Sequence, residues 1–164
     1  MAKVMKVLAI AALLVTIAGA GVLLYAVNSL SPVIVQTRMV ATPAWQAQDV
    51  FDAAMAQLTN ETFKGRVFGD AAGISEQDCT FLTYTVRLQN KGFFPAEWVS
   101  LDVHPQEGDI CQLDNYSANV LGSRMQGDIA ATLLTCSVAA KTQRGYTVTC
   151  YVLGRKIVLE GTFQ

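Results

Sequence analysis

The chain has little of what catalytic and metal sites are usually built from. Its 164 residues include one histidine, His104, and four cysteines, none of them in a CxxC spacing. That excludes a thioredoxin-like redox motif and a zinc ribbon, and His104 has no cysteine near it at ligand spacing. No serine, histidine and acid stand in a nucleophile-elbow context. The carboxylates Asp102, Glu107, Asp109 and Asp114 lie close together in sequence, and oxygen ligands of that kind suit Ca²⁺. Their spacing does not match the EF-hand loop, and a solvated acidic loop is the plainer reading. Charge of one sign never accumulates. After residue 27 there are ten Lys/Arg against thirteen Asp/Glu, interspersed, a balance of −3. This gives no electrostatic footprint for nucleic acid and no polybasic lipid-binding patch. No cofactor, no metal and no enzymatic activity are expected.

What the chain does have is a single long apolar run, Val7 to Val27, without a charged residue and with only Thr16 and Tyr25 carrying polar side chains. As a helix its 21 residues would extend roughly 31 Å, the thickness of a bilayer core. A helix also satisfies every backbone group in lipid. Lys3 and Lys6 precede the run, and the first basic residue after it is Arg38. That asymmetry predicts a cytoplasmic N-terminus and an extracytoplasmic C-terminal part at the plasma membrane. The alternative is a signal peptide cleaved near Ala20, since Ala18-Gly19-Ala20 has the form of a cleavage site. Cleavage there would leave Val22 to Val27 as an apolar tail. The expected division is a cytoplasmic stub at 1–6, a transmembrane helix at 7–27, a linker at 28–32 and one domain at 33–164.

That domain is long enough to bury a core. Val33 to Val40 reads as a β-branched strand. Thr42-Pro43 carries a helix start signal, with Thr as N-cap and Pro first inside. Val50, Phe51, Ala54, Met55 and Leu58 then recur at helical spacing, so Pro43 to Thr59 is predicted as an amphipathic helix covering a sheet. A docking helix for a partner is the sharper alternative. Thr62 to Phe68 is a candidate short strand. From Cys79 to Gln89 the period is two, with Leu82, Tyr84, Val86 and Leu88 on one face. Ala96 to Val103 alternates likewise, with Trp98, Ser100 and Asp102 opposed to Val99, Leu101 and Val103. Ile110–Leu113, Asp128–Val138, Gly145–Leu153 and Lys156–Phe163 complete the strands, the last two joined by a tight turn at Gly154-Arg155. Six to eight strands with one helix predict a mainly β fold, an antiparallel sandwich.

The cysteines carry one geometric expectation. If residues 139–146 form a hairpin connection centred on Gln143, with Gly145 left-handed, then Cys136 and Cys150 are equidistant from its centre and face each other. They are the expected disulfide, and Cys79 with Cys111 the remaining pair by elimination. Buried free thiols are the alternative. The expected interaction loop is Phe93, Phe94, Pro95 and Trp98, aromatics gathered at the Asn90-Lys91-Gly92 turn. Its alternative is that Phe94 and Trp98 close one end of the core. Asn60-Glu61-Thr62 and Asn115-Tyr116-Ser117 are formal glycosylation sequons.

The run TYTVRLQNKGFFPAEWVSLDV, followed by YTVTCYVLG, resembles the strand-turn-strand pattern of bacterial and archaeal cell-surface Ig-like modules of the CARDB kind. The matching positions are Val86, Asn90, Gly92, Pro95, Ala96, Val99 and Val103. The resemblance covers about half the domain and implies an Ig-like sandwich that serves adhesion, spacing or interaction, not catalysis. Type IV pilins also join an apolar helix to a β domain, but with a glutamate early in that helix after a glycine cleavage site, and this chain has neither. The expected protein is therefore a membrane-anchored β-sandwich for binding or envelope assembly. It would contact the lipid bilayer through Val7–Val27 and a protein partner through the domain, with no nucleic acid. A secreted ligand-binding or inhibitor domain is the alternative, and an extracytoplasmic hydrolase the third reading.

Overall fold

A computed structural model describes residues 2–29, 31–58, 66–69, 73–113, 120–136 and 143–163. The apolar run lies within one helix, α1 (Ala2–Ser29), and Val4–Tyr25 is long and apolar enough to cross a membrane. None of that span is buried against the rest of the protein. Pro32 cannot extend the helix, and β1 (Pro32–Pro43) begins there.

Among the described residues nine strands form two antiparallel sheets. Besides β1 they are β2 (Arg66–Val67), β3 (Thr80–Asn90), β4 (Ala96–Val103), β5 (Asp109–Leu113), β6 (Val120–Leu121), β7 (Gln126–Thr135), β8 (Gly145–Val152) and β9 (Arg155–Thr162). One sheet has the order β1-β3-β7-β5-β2, the other β6-β4-β8-β9. The domain is thus an antiparallel Ig-like β-sandwich with one amphipathic helix, preceded by a long apolar helix. The period-two patterns put their apolar faces between the sheets: Leu82, Tyr84, Val86 and Leu88 from β3 meet Val99, Leu101 and Val103 from β4 and Val148, Cys150 and Val152 from β8.

The five-stranded sheet is buried on both faces over part of its length. Phe81, Cys111 and Leu134 point away from the sandwich interior into a second cluster with Phe51. That cluster is closed by α2 (Gln48–Leu58), whose Phe51 and Ala54 are buried while Val50 stays exposed. The helix is shorter than its sequence signal. Thr42 and Pro43 complete β1, pairing with Phe81 and Thr80, so Thr42 caps nothing. A single 3-10 turn, Ala44–Gln46, comes between, and α2 starts at Gln48. The last hairpin is corrected by one residue. Leu153 and Gly154 are the turn, both left-handed at φ 51° and 76°, between the paired Val152 and Arg155. Two positive φ values make this the I′ geometry that suits strand twist.

Strand pairing fixes which end of the sandwich faces α1. Pro32 pairs with Asn90, at the end of β3. The turn after Asn90, the 122–125 connection before Gln126 and the Leu153-Gly154 turn all lie at this end, because Gln89 pairs with Gln126 and Glu97 with Tyr151. Pro43, Cys79, His104, Asp109 and Arg144 lie at the opposite end. Three chain steps separate Ser29 from Pro32, a reach of at most about 11 Å.

Candidate interaction surface

Asn90 organises the helix-proximal end. It is only 1% exposed. Its amide nitrogen donates to the carbonyls of Phe94 (2.8 Å), Leu121 (3.2 Å) and Gly122 (3.1 Å), and its oxygen accepts the Gly92 N–H at 2.9 Å. The Ser123 hydroxyl adds a bond to the Gly92 carbonyl, and the Asn90 N–H donates to the Met125 carbonyl. One side chain thus ties two loops into a single plate. Asn90→Ala removes all four side-chain bonds from a buried site. It is expected to cost about 2–3 kcal/mol, read as a lowered urea midpoint. An unchanged midpoint would show that these loops do not depend on Asn90.

The plate presents apolar side chains outward. Phe93 is 56% exposed, Trp98 68%, Met125 59% and Leu153 62%. Of the expected loop, Phe93, Pro95 and Trp98 face solvent, while Phe94 packs against the core. A bulge between Glu97 and Ser100 breaks the alternation of β4, so that Glu97 and Trp98 both face out. With Tyr151 and Gly154 they line an open depression of about 400 Å³. Arg124 lies over the Phe93 ring, its guanidinium carbon 4.7 Å from the centroid, a cation–π arrangement.

Backbone strain is concentrated here. Among the described residues the non-glycine positions with positive φ are Trp98 (51°), Arg124 (57°) and Leu153 (51°). All three stand at the helix-proximal end, and all three are exposed. The left-handed conformation costs a bulky L-residue about 1 kcal/mol or more; at Leu153 it belongs to the I′ turn and at Trp98 to the bulge of β4. The sequence signal for this cluster was incomplete: Trp98 and Phe93 were visible as aromatics near a turn, whereas Leu153, Arg124 and Met125 reach the surface through three separate connections.

The cysteine expectations are corrected. Strands β7 and β8 belong to different sheets and do not pair with each other as a hairpin; residues 137–142 lie outside the described residues. Cys136 sits beside the five-stranded sheet, Cys150 in the interior opposite Ile157. Gly145 is not left-handed; a Cβ there would stand 2.7 Å from His104 Nδ1, so its bareness admits the histidine. All four thiols are free. The sulfurs that meet are Cys79 and Cys136, 2.8 Å apart. Burial raises the Cys79 thiol far above its usual range, aided by the bond to Cys136, and burial pushes Cys111 up to about 11.

The acidic residues do not converge either. Asp102 pairs with Arg66, and Asp109 with Arg144. Glu107 is exposed, Asp114 lies outside the described residues, and among those described no three His, Cys, Asp or Glu are placed to hold a metal. His104 Nε2 meets the Thr147 hydroxyl at 2.9 Å. Both sequons, at Asn60 and Asn115, fall outside the described residues. On the outer face of the five-stranded sheet, Arg87 grips Asp128 through two bonds of 2.7 and 2.8 Å, which hold the Asp128 carboxyl below its usual range. Arg38, Gln36 and Thr85 border that pair around a polar depression of about 350 Å³.

No family model matches the chain, and no curated protein does. Among solved structures it is similar to the GAE domain of yeast GGA1, with 13% identity and a TM-score of 0.40 over 60% of this chain and 96% of that one. It is also similar to the GAE domain of GGA2p from Saccharomyces cerevisiae, with 7% identity and a TM-score of 0.37 over 60% and 94%.

Proposed function

We propose that this protein is a single-pass membrane protein that presents an Ig-like sandwich outside the cytoplasm for binding or envelope assembly, without catalysis. The observation that carries the reading is α1. It is apolar on every side and none of its Val4–Tyr25 span is buried by the domain. A helix of that kind needs a second apolar medium, and its length suits a bilayer. The basic residues Lys3 and Lys6 before it support a cytoplasmic stub at 1–6 and an extracytoplasmic domain at 33–164. The resemblance to cell-surface Ig-like modules supports an interaction role, and the partner on that reading is a protein.

Fractionation tests it. The full chain is expected to stay in the membrane pellet after alkaline carbonate washing. In right-side-out vesicles, protease added outside is expected to remove the sandwich. A soluble product with its N-terminus near Gly21 would replace the anchor by a cleaved signal. Protection of the sandwich from outside protease would reverse the orientation.

A further inference from the structure

We propose that the helix-proximal end of the sandwich is a lipid seat, with Phe93, Trp98, Met125 and Leu153 entering the headgroup layer of the bilayer that α1 spans. The inference rests on the anchoring reading above and goes beyond it, because an anchor alone leaves the domain free to swing on its linker.

Three observations support it. Chain connectivity puts Pro32, which pairs with Asn90 at this end of the sandwich and not the opposite one, within about 11 Å of the helix terminus. Trp98 suits an interface, since an aromatic body with a polar edge is stable at headgroup level, and Phe93, Met125 and Leu153 add exposed apolar surface beside it. Charge complements it. Among the described residues Lys91, Arg124 and Lys156 are exposed at this end, against the one exposed carboxylate Glu97. Asp128 is held by Arg87. Anionic headgroups would attract that excess, and Arg124 over Phe93 offers cation and apolar ring as one unit. The loops that carry Phe93 and Met125 are wired to Asn90, so that part of the surface needs no ordering on contact.

The two tryptophans make the test internal. Trp98 stands at the helix-proximal end, and Trp45, also exposed, follows Pro43 at the opposite end. The full chain is reconstituted into vesicles of phosphatidylcholine and phosphatidylglycerol containing lipids brominated on the acyl carbons nearest the headgroup. With Trp45→Phe, emission from Trp98 is expected to shift to the blue and to be strongly quenched. With Trp98→Phe, emission from Trp45 is expected to match the unbrominated control. Omitting phosphatidylglycerol, or combining Arg124→Glu with Lys156→Glu, is expected to weaken the Trp98 quenching. Equal quenching of both tryptophans overturns the seat. So does an unquenched Trp98 in a chain that resists carbonate extraction, which leaves the anchor standing. Trp98 shielded from aqueous acrylamide yet unquenched by bromine would mean that a second copy covers the surface, and also overturns the seat. Extraction of the chain by carbonate removes the anchor and the seat together.

Discussion

Replacing Asp109 by alanine is expected to destabilise the sandwich by about 3–5 kcal/mol, the cost of stranding a buried charge. Arg144 is 1% exposed and Asp109 5%. The guanidinium donates to an Asp109 oxygen at 3.0 Å and to the Gln106 side-chain oxygen at 2.6 Å. The other Asp109 oxygen accepts the Gln106 N–H at 2.7 Å, and the Arg144 carbonyl receives the N–H of Phe163. One ion pair therefore fastens the turn before β5 to the start of β8 and to the end of β9. Phe163, so placed, packs between Tyr84 and Tyr146, with ring centroids 4.6 and 4.4 Å away. Removing the carboxylate leaves the guanidinium in a site that water does not reach. For a domain of this size the thermal midpoint should fall by roughly 10–20 °C. The double variant Asp109→Leu with Arg144→Met is expected to recover much of the loss, because it strands neither charge. A single variant that melts like the unaltered protein would mean that the pair is solvated. A double variant no better than the single would mean that the pair stabilises beyond its own desolvation.

Neither residue of that pair stood out in the sequence. Asp109 was read with Asp102, Glu107 and Asp114 as part of an acidic stretch, and Arg144 fell in an assumed hairpin. The hairpin expectation fails for a physical reason. Alternating burial in β7 and β8 is the same whether the strands lie side by side or in opposed sheets, since each pattern only asks for one apolar face. The choice between them is made by long-range pairing, β7 with β3 and β5 and β8 with β4 and β9, which local residues do not specify. What local pattern does specify came through: the inward faces of β3 and β4, the helix over the sheet, and the apolar run. The second layer was also written in the chain. Phe81-Leu82 and Leu133-Leu134 are adjacent apolar pairs that violate strict alternation, and they occur where α2 covers the outer face of the sheet. The surface at the helix-proximal end was half legible, since aromatics at a turn mark a candidate loop, while the bulge at Trp98 and the meeting of basic residues from separate turns arise only from sheet register.

Oxidation of the folded protein by a disulfide donor, such as a periplasmic-type dithiol oxidase or oxidised glutathione, is expected to join Cys79 to Cys136 and to leave Cys111 and Cys150 as thiols. The sulfurs need only close from 2.8 Å to the bonded distance of about 2.05 Å. Cys136 is the more accessible of the two and would attack the donor first; Cys79 then displaces it. Two thiols lose two protons and two electrons, and the donor disulfide becomes a dithiol. The bridged residues are 57 positions apart, which in the chain-entropy account stabilises the fold by about 4 kcal/mol. Non-reducing peptide mapping identifies the bond, and Cys79→Ser should abolish the difference between oxidised and reduced melting. The pH dependence gives a second signature. The Cys79 and Cys111 thiols are raised by burial, and Tyr84 is pushed up to about 12 by burial as well. Groups raised in the folded state contribute stability that is complete below their unfolded values and lost as pH rises through the folded ones. The reduced protein should therefore weaken from about pH 9 upward, where an unfolded thiol begins to ionise. The bridged protein has no Cys79 thiol to titrate and should lose less over the same interval. A bridge mapped to Cys136–Cys150 would contradict the sheet assignment that separates them, and parallel alkaline loss in both forms would show that the Cys79 thiol does not set the alkaline limit.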